Sequence, residues 1–326
     1  MIRKSLFQPP WWLRNAHLQT CFAPLVRSKA RPVPRNERLE LPDGDFVDLS
    51  WFGVGVGPVV VVLHGLGGSI DSAYARGIVT HLSGSGFRVV LMHFRGCSGV
   101  LNRKLRAYHS GDTEDVRYLF SVLRDRLGDT PLGAVGYSLG GNVLLKYLGE
   151  EGEQSPITAA VSVCAPLELS KCAERLDTGL SRFYQWYLLS SLKRGLREKM
   201  RSMGAGLHLG LNSQDVRSIR TIYDFDECVT APLHGFAGAA DYYEKSSSRQ
   251  YLAEIRSPVL VLQARDDPFM LPEILPAECE LASSVELEIA AGGGHVGFVT
   301  GPLPWRPVYW LDHKVTDYLT GKLKPD

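Results

Sequence analysis

The hydroxyl best placed to do chemistry in this sequence is that of Ser138, within the run GYSLGG from Gly136 to Gly141. The apolar run PLGAV precedes it and NVLLKYL follows, so strand, tight turn and helix stand in order. Such a turn strains the backbone of its central residue, and bulky neighbours would clash with the adjoining strand and helix. Gly136, Gly140 and Gly141 meet that demand. The turn exposes the serine oxygen at the carboxyl end of a sheet and aims the Leu139 amide and a helix N-terminus at the same point. With 33 glycines in the chain, a G-x-S-x-G pentapeptide arises by chance about a quarter of the time. Its partners must therefore decide.

An alcohol is a poor nucleophile at neutral pH and needs a base that a third group orients. Nine histidines compete. His81 lies in a helical run, and His208, His234 and His313 have no supporting pattern. His295 closes AAGGGH directly after the run VELEIA, where glycines let a loop fold back over a sheet edge. LVLQARDDPFM offers two carboxylates just past another strand. Asp267 is the expected orienting acid, because Arg265 and Asp266 read as loop-entry residues and Pro268 fixes the turn after it. Asp266 stays open as the alternative. In VVLHGLGGS, the stretch His64 to Gly68 can turn the Leu66 amide towards a developing oxyanion, with the Leu139 amide as a second donor. His64 itself reads as a side chain tying that loop. A phosphate loop is excluded, since the Lys-Ser/Thr ending of a Walker motif is missing.

The elements that must position these residues follow from periodicity. ERLELPDG and FVDLSWF alternate about a PDG turn and predict an antiparallel pair. PVVVVL, FRVVLM, PLGAVGY, ITAAVSVCAP, SPVLVLQAR and SVELEIA predict further strands, the first covered on both faces. Between them, AYARGIVTHLSGSG and DTEDVRYLFSVLRDRLG predict helices, the second with Val116, Leu119, Phe120, Leu123 and Leu127 on one face. The sum is a mainly parallel, doubly wound eight-stranded α/β sheet with an antiparallel N-terminal edge. Residues 167–254 hold no convincing strand and read as a helical cap inserted into a core made of 1–166 and 255–326. There, Phe183, Trp186, Tyr187, Leu192, Leu196 and Met200 form a helical stripe, expected to be packing surface whose inner edge lines a pocket.

Composition bounds the rest. At 326 residues, with 44% hydrophobic and 22% charged, the chain can bury a large core. A net charge of +1 gives no bulk attraction to nucleic acid or to an anionic membrane. No apolar run is long enough to span a bilayer, and MIRKSLFQPPWW lacks the apolar stretch of a signal peptide. The six cysteines are scattered singly, without metal-site or disulfide spacing. A soluble cytoplasmic protein without metal or organic cofactor is expected. Trp11, Trp12, Trp305 and Trp310 could anchor at a lipid interface, although buried packing is the expected role.

Taken together, these residues resemble the α/β-hydrolase superfamily over almost the whole chain, and more narrowly the bacterial YheT-like hydrolases, related to the eukaryotic ABHD1/ABHD3 group. The narrower likeness rests on PPWWLRNAHLQT, HGLGGS, FRGCSG, YHSGDTED, GYSLGGN, DFDECVTAPLHGFAGAADYY and DDPFM. The chain order Ser138, Asp267, His295 is also the one such a sheet requires. The resemblance implies an α/β-hydrolase fold, these three residues as catalytic groups, and an esterase acting through an acyl-serine on a small-molecule or lipid-like ester. It implies no role for Cys97 or His109, for which loop packing is expected. An acyltransferase or phospholipase using the same residues, and a non-catalytic binding module on the same scaffold, are the rival readings.

Overall fold

Val59–Leu63 is wholly buried, with successive side chains packing on opposite faces, and it lies inside a nine-stranded sheet, next to its central strand. The computed structural model describes residues 1–203 and 213–324; His208 lies outside them. In chain order the first half comprises β1 (Ile2–Lys4), α1 (Ala16–Val26), β2 (Arg35–Glu40), β3 (Phe46–Phe52), β4 (Val59–Leu63), α2 (Ala73–Gly84), β5 (Arg88–His93), α3 (Glu114–Leu127), β6 (Leu132–Tyr137), α4 (Leu139–Glu151) and β7 (Ala159–Val163). A helical stretch follows: α5 (Leu169–Leu176), α6 (Ser181–Met203), α7 (Ser213–Ser218), α8 (Ile222–Phe225), a π-turn (Asp226–Thr230), α9 (Ala231–His234) and α10 (Ala239–Ser246). The chain returns to the sheet with β8 (Val259–Ala264) and β9 (Val285–Ala290). It ends with a ribbon of β10 (Val299–Thr300) and β11 (Val308–Tyr309), then α11 (Trp310–Leu323).

The sheet order is β1-β9-β8-β7-β6-β4-β5-β3-β2, parallel except where β3 meets β5 and β2. The antiparallel edge is thus where alternation placed it. The ninth strand corrects the expectation of eight. Ile2–Lys4 runs parallel to β9, but three residues with one apolar side chain carry no periodic signal, and backbone pairing alone makes them a strand. Either face of the sheet is covered as the alternation requires. Val59, Val61 and Leu63 pack with α3 and α4, while Val60 and Val62 pack with α2 and α11. Each such side chain contributes about 1.5–3 kcal/mol by leaving water.

This topology brings the carboxyl ends of five adjacent parallel strands to one edge. Directly beyond them come His64 after β4, Ser138 after β6, Cys164 after β7, Asp266 and Asp267 after β8, and the glycine loop of His295 after β9. Over that edge lie α1 and the helices between β7 and β8. The expected apolar stripe of α6 splits: Leu196, with Leu192 and Met200, packs against Val216, Ile219, Phe225 and Val229. Phe183, Trp186 and Tyr187, one to two turns earlier, face solvent.

Candidate active site

Ser138 caps α4 with φ at 51°, a region that L side chains avoid at a cost of about 1–2 kcal/mol. Glycines make the turn possible. A Cβ at Gly140 would stand 2.5 Å from the carbonyl oxygens of Leu63 and His64, and one at Gly136 would strike Gly140 itself. The Ser138 amide donates to the Val163 carbonyl at 2.8 Å, pinning the turn to β7.

His295 and Asp267 meet this serine. Ser138 Oγ lies 2.9 Å from His295 Nε2, and His295 Nδ1 lies 2.8 Å from Asp267 Oδ2. A carboxylate can only accept, so Nδ1 carries the ring proton and Nε2 accepts from the hydroxyl. The Asp267 side chain is 1% exposed, and its other oxygen takes the Phe269 amide at 2.8 Å. Asp266 has a different post. Its Oδ1 accepts from the Gly294 amide, so it shapes the glycine loop and not the imidazole. The Thr20 hydroxyl on α1 receives the His295 amide at 2.9 Å, and the ring of Phe269 stacks on the imidazole at 4.0 Å.

The loop after β4 is held so that a single amide stays free. The Gly65 amide donates to the Tyr74 hydroxyl and the Gly67 amide to the Tyr108 hydroxyl, both at 2.7 Å, while the Gly68 amide donates to the Gly65 carbonyl. Among the described residues neither the Leu66 amide nor the Leu139 amide has a protein acceptor. His64 is fully buried. It accepts the Phe94 amide at Nε2 and donates from Nδ1 to Gly65, and burial pushes its pKa down to about 3. It is a neutral brace.

Several contributors escaped sequence reasoning. Tyr108 lies in YHSGDTED and Phe94 in FRGCSG, two runs quoted above without a chemical account; their rings stack at 5.1 Å beside the loop after β4. Cys164, buried at φ 49°, receives the Val296 amide on its sulfur at 3.4 Å and lies beside Asp267. Donor atoms of Cys164, Asp267 and His295 lie within 4.8 Å of one another, close enough for a cation. Burial raises the Cys164 pKa well above its ordinary value and favours the protonated thiol. Among the described residues, Cys97, pushed up to about 12 by burial, and His109, pushed down to about 2 by burial and the nearby His234, make no hydrogen bond to Ser138, Asp267 or His295. His81 and His313 pair with each other between α2 and α11. Of the tryptophans, Trp12 and Trp310 pack against Phe22 and Phe298, but Trp11 and Trp305 stand in solvent, contrary to the buried role expected for all four.

A cavity of about 980 Å³ opens at the serine and histidine. Leu169, Leu176, Leu188, Leu192 and Ile222 give it an apolar wall, and Asp226 is set among them. Among the described residues, no helix is long and apolar enough to cross a membrane.

Residues 58–302 match the family model described as alpha/beta hydrolase fold. The chain is 43% identical over 322 residues, 98% of its length and 94% of the relative's, to YheT of Escherichia coli (strain K12), which its name makes a candidate esterase. It is 30% identical to mouse (Mus musculus) phospholipase ABHD3, over 93% of this chain and 75% of that one. Among solved structures, the Pyrococcus furiosus esterase Pf2001 superposes with a TM-score of 0.57 at 15% identity, covering 98% of this chain and 99% of that one.

Proposed function

Because the chain belongs to the α/β-hydrolase family and is a carboxylic ester hydrolase, we propose that it cleaves esters by acyl transfer through Ser138. Ser138 Oγ attacks the ester carbonyl carbon while its proton passes to His295 Nε2. The amides of Leu66 and Leu139 receive the oxyanion, and one such donor is worth about 3–4 kcal/mol in the transition state. Collapse breaks the bond to the alcohol oxygen, which takes the proton from His295. Water then repeats the sequence on the acyl-serine, losing a proton to His295 and releasing the acid. Asp267 fixes the imidazole tautomer and stabilises its cation. The observation that supports this reading is the unbroken hydrogen-bond chain from Asp267 through His295 to Ser138.

The apolar cavity wall favours a lipid-like, uncharged acyl group of short to medium length. Residues 167–254 act as the cap over that cavity, with 1–166 and 255–326 as the core. The single, scattered cysteines favour a cytoplasmic location. A fluorophosphonate probe should label the wild type and leave Ser138→Ala unlabelled; label retained in the variant defeats the assignment. Turnover of p-nitrophenyl esters from acetate to octanoate should fall at least 1,000-fold in His295→Ala, by about the cost of losing a triad member. Equal, negligible rates in both proteins would favour a binding module.

A further inference from the structure

The mouth of the cavity carries exposed apolar side chains. Leu25 on α1, with Phe183 and Tyr187 on α6, both line the cavity and stand in solvent, so they mark its opening. Helix α1 has its faces inverted for a surface helix. Gln19 and Ala23 are buried and Thr20 reaches inward to the His295 amide, while Leu18 (56% exposed) and Leu25 (82% exposed) point outward. Phe22, on that outer face, meets the ring of Trp12, whose Nε1 donates to Gly301 and so joins the Trp11–Trp12 turn to the loop of Trp305. On its other flank, His17 and Cys21 reach the Tyr184 hydroxyl, which sits between Phe183 and the turn bearing Trp186. Trp11, Trp186 and Trp305, exposed by 70%, 62% and 73%, are thus each joined by contacts or short chain steps to α1 or the cavity-lining Phe183. Scattered single apolar side chains need no explanation; a contiguous aromatic patch around a pocket mouth does.

Charge points to the occupant. The net +1 of the whole chain conceals a strong local bias. No acid precedes Glu37, and seven lysines and arginines do. Residues 178–197 and 291–311, which supply the start of α6 and the loop of Trp305, also contain no acid. Arg14, Lys29, Arg182 and Arg306 are exposed and, among the described residues, have no ion-pair partner. The acids lining the cavity on this side, Asp71 and Asp312, are taken by Arg31 and Arg27. Aromatic side chains flanked by unpaired cations fit the headgroup region of an anionic bilayer, where amphipathic rings settle and basic side chains meet lipid phosphates.

We propose that the face formed by α1, the first turns of α6 and the Trp305 loop docks on anionic lipid surfaces, so that a lipid ester passes from the bilayer directly into the cavity. The docking itself depends only on this surface; delivery to Ser138 rests on the function proposed above. Co-sedimentation with vesicles of phosphatidylcholine, with and without 30 mol% phosphatidylglycerol, tests it. The wild type should pellet at least tenfold more with the anionic vesicles, and 0.5 M salt should weaken the effect. The triple variant Trp11→Ser/Trp186→Ser/Trp305→Ser should lose binding to both vesicle types at least fivefold. Arg14→Glu/Arg182→Glu/Arg306→Glu should lose the preference for phosphatidylglycerol. None of these six side chains lines the cavity, so p-nitrophenyl acetate turnover should stay within twofold in both variants and report intact folding. Wild-type protein left in the supernatant with both vesicle types, or a tryptophan variant that binds like wild type, overturns the proposal. So does a wild-type dimer in sedimentation velocity that the tryptophan variant abolishes, because the patch would then be covered by a second copy. Vesicle binding by a protein that turns over no ester would uphold the surface and sink the catalytic reading.

Discussion

Ser138, Cys164, Val296 and Phe298 are the non-glycine residues at positive φ among those described, and all four lie beyond the carboxyl ends of parallel strands, around the hydrogen-bonded Ser138, His295 and Asp267. Backbone strain of about 1–3 kcal/mol per residue persists only where the surroundings over-determine it. Here the clamps are visible: Ser138 is tied to β7, Cys164 donates its amide to Leu262, and the Val296 amide reaches back to the Cys164 sulfur. Tyr108 is the corresponding clamp on the loop after β4, where the Leu66 amide is the proposed oxyanion donor. Tyr108→Phe leaves the Gly67 amide without its acceptor and frees the Leu66 amide to wander. An amide that binds only the oxyanion affects the transition state and not substrate binding, so kcat should fall about tenfold with KM nearly unchanged. Steady-state kinetics on p-nitrophenyl butyrate would measure it, and a change confined to KM would refute that role. Ser138, Asp267 and His295 were legible because each stands beside a glycine turn or at a strand end. Tyr74, Tyr108 and Cys164 were not. They act through backbone amides of other segments, and no spacing within one segment encodes such a partnership.

At the scale of elements, runs rich in Val and Leu reported strands faithfully, since burial on both faces favours apolar side chains at nearly every position. The misreadings have equally local causes. Strand β1 is too short for a period, and the α6 stripe was read as one surface although its first turns and its last turns meet different surroundings. The π-turn at Asp226–Thr230 was also invisible, and it carries the residue with the clearest pH signature. Asp226 accepts from the Thr230 hydroxyl at 2.7 Å and the Tyr243 hydroxyl at 2.8 Å. Burial nevertheless outweighs both bonds and raises its pKa from 3.8 to about 6. A carboxyl raised on folding contributes stability below its unfolded pKa and loses it as pH climbs through the folded one. Asp226→Asn keeps the neutral form at every pH. Whatever constant offset the amide introduces, the stability of this variant relative to wild type should grow by about 2 kcal/mol between pH 4 and pH 7.5. Urea titrations of both proteins at the two pH values provide the check; a pH-independent difference would contradict it.

The whole molecule is joined at Arg95, whose side chain is 1% exposed. Its Nε and one terminal nitrogen grip both oxygens of Asp115 on α3 at 2.7 Å, and the other terminal nitrogen holds Asp43 at 2.7 Å and Asp45 at 3.0 Å in the turn between β2 and β3. Asp45 also accepts from Asn102, and Asn102 receives Lys199 of α6 on its carbonyl at 2.7 Å. The antiparallel edge, α3 and α6 thus share one charged junction. Burial works against the Arg95 charge, but the carboxylates of Asp115 and Asp43 more than offset it and raise its pKa. Asp43 and Asp45 are lowered in turn: burial opposes this, but hydrogen bonds from Arg95 to Asp43, and from Asn102 and backbone amides to Asp45, prevail. Removing one partner of a buried ion cluster leaves the others uncompensated, so Arg95→Met should cost about 3–5 kcal/mol at pH 7, a large share of the roughly 5–15 kcal/mol by which folded domains are stable. A depressed carboxyl contributes stability above its unfolded pKa and loses it as pH falls through the folded one. Without the guanidinium Asp43 protonates more readily in the fold, and the penalty must shrink as pH drops towards 4. Denaturant midpoints for wild type and Arg95→Met at pH 7 and pH 4 carry the test. A penalty that stays constant or grows in acid would mean that the side chain serves by packing alone, and that these layers are held together by something other than charge.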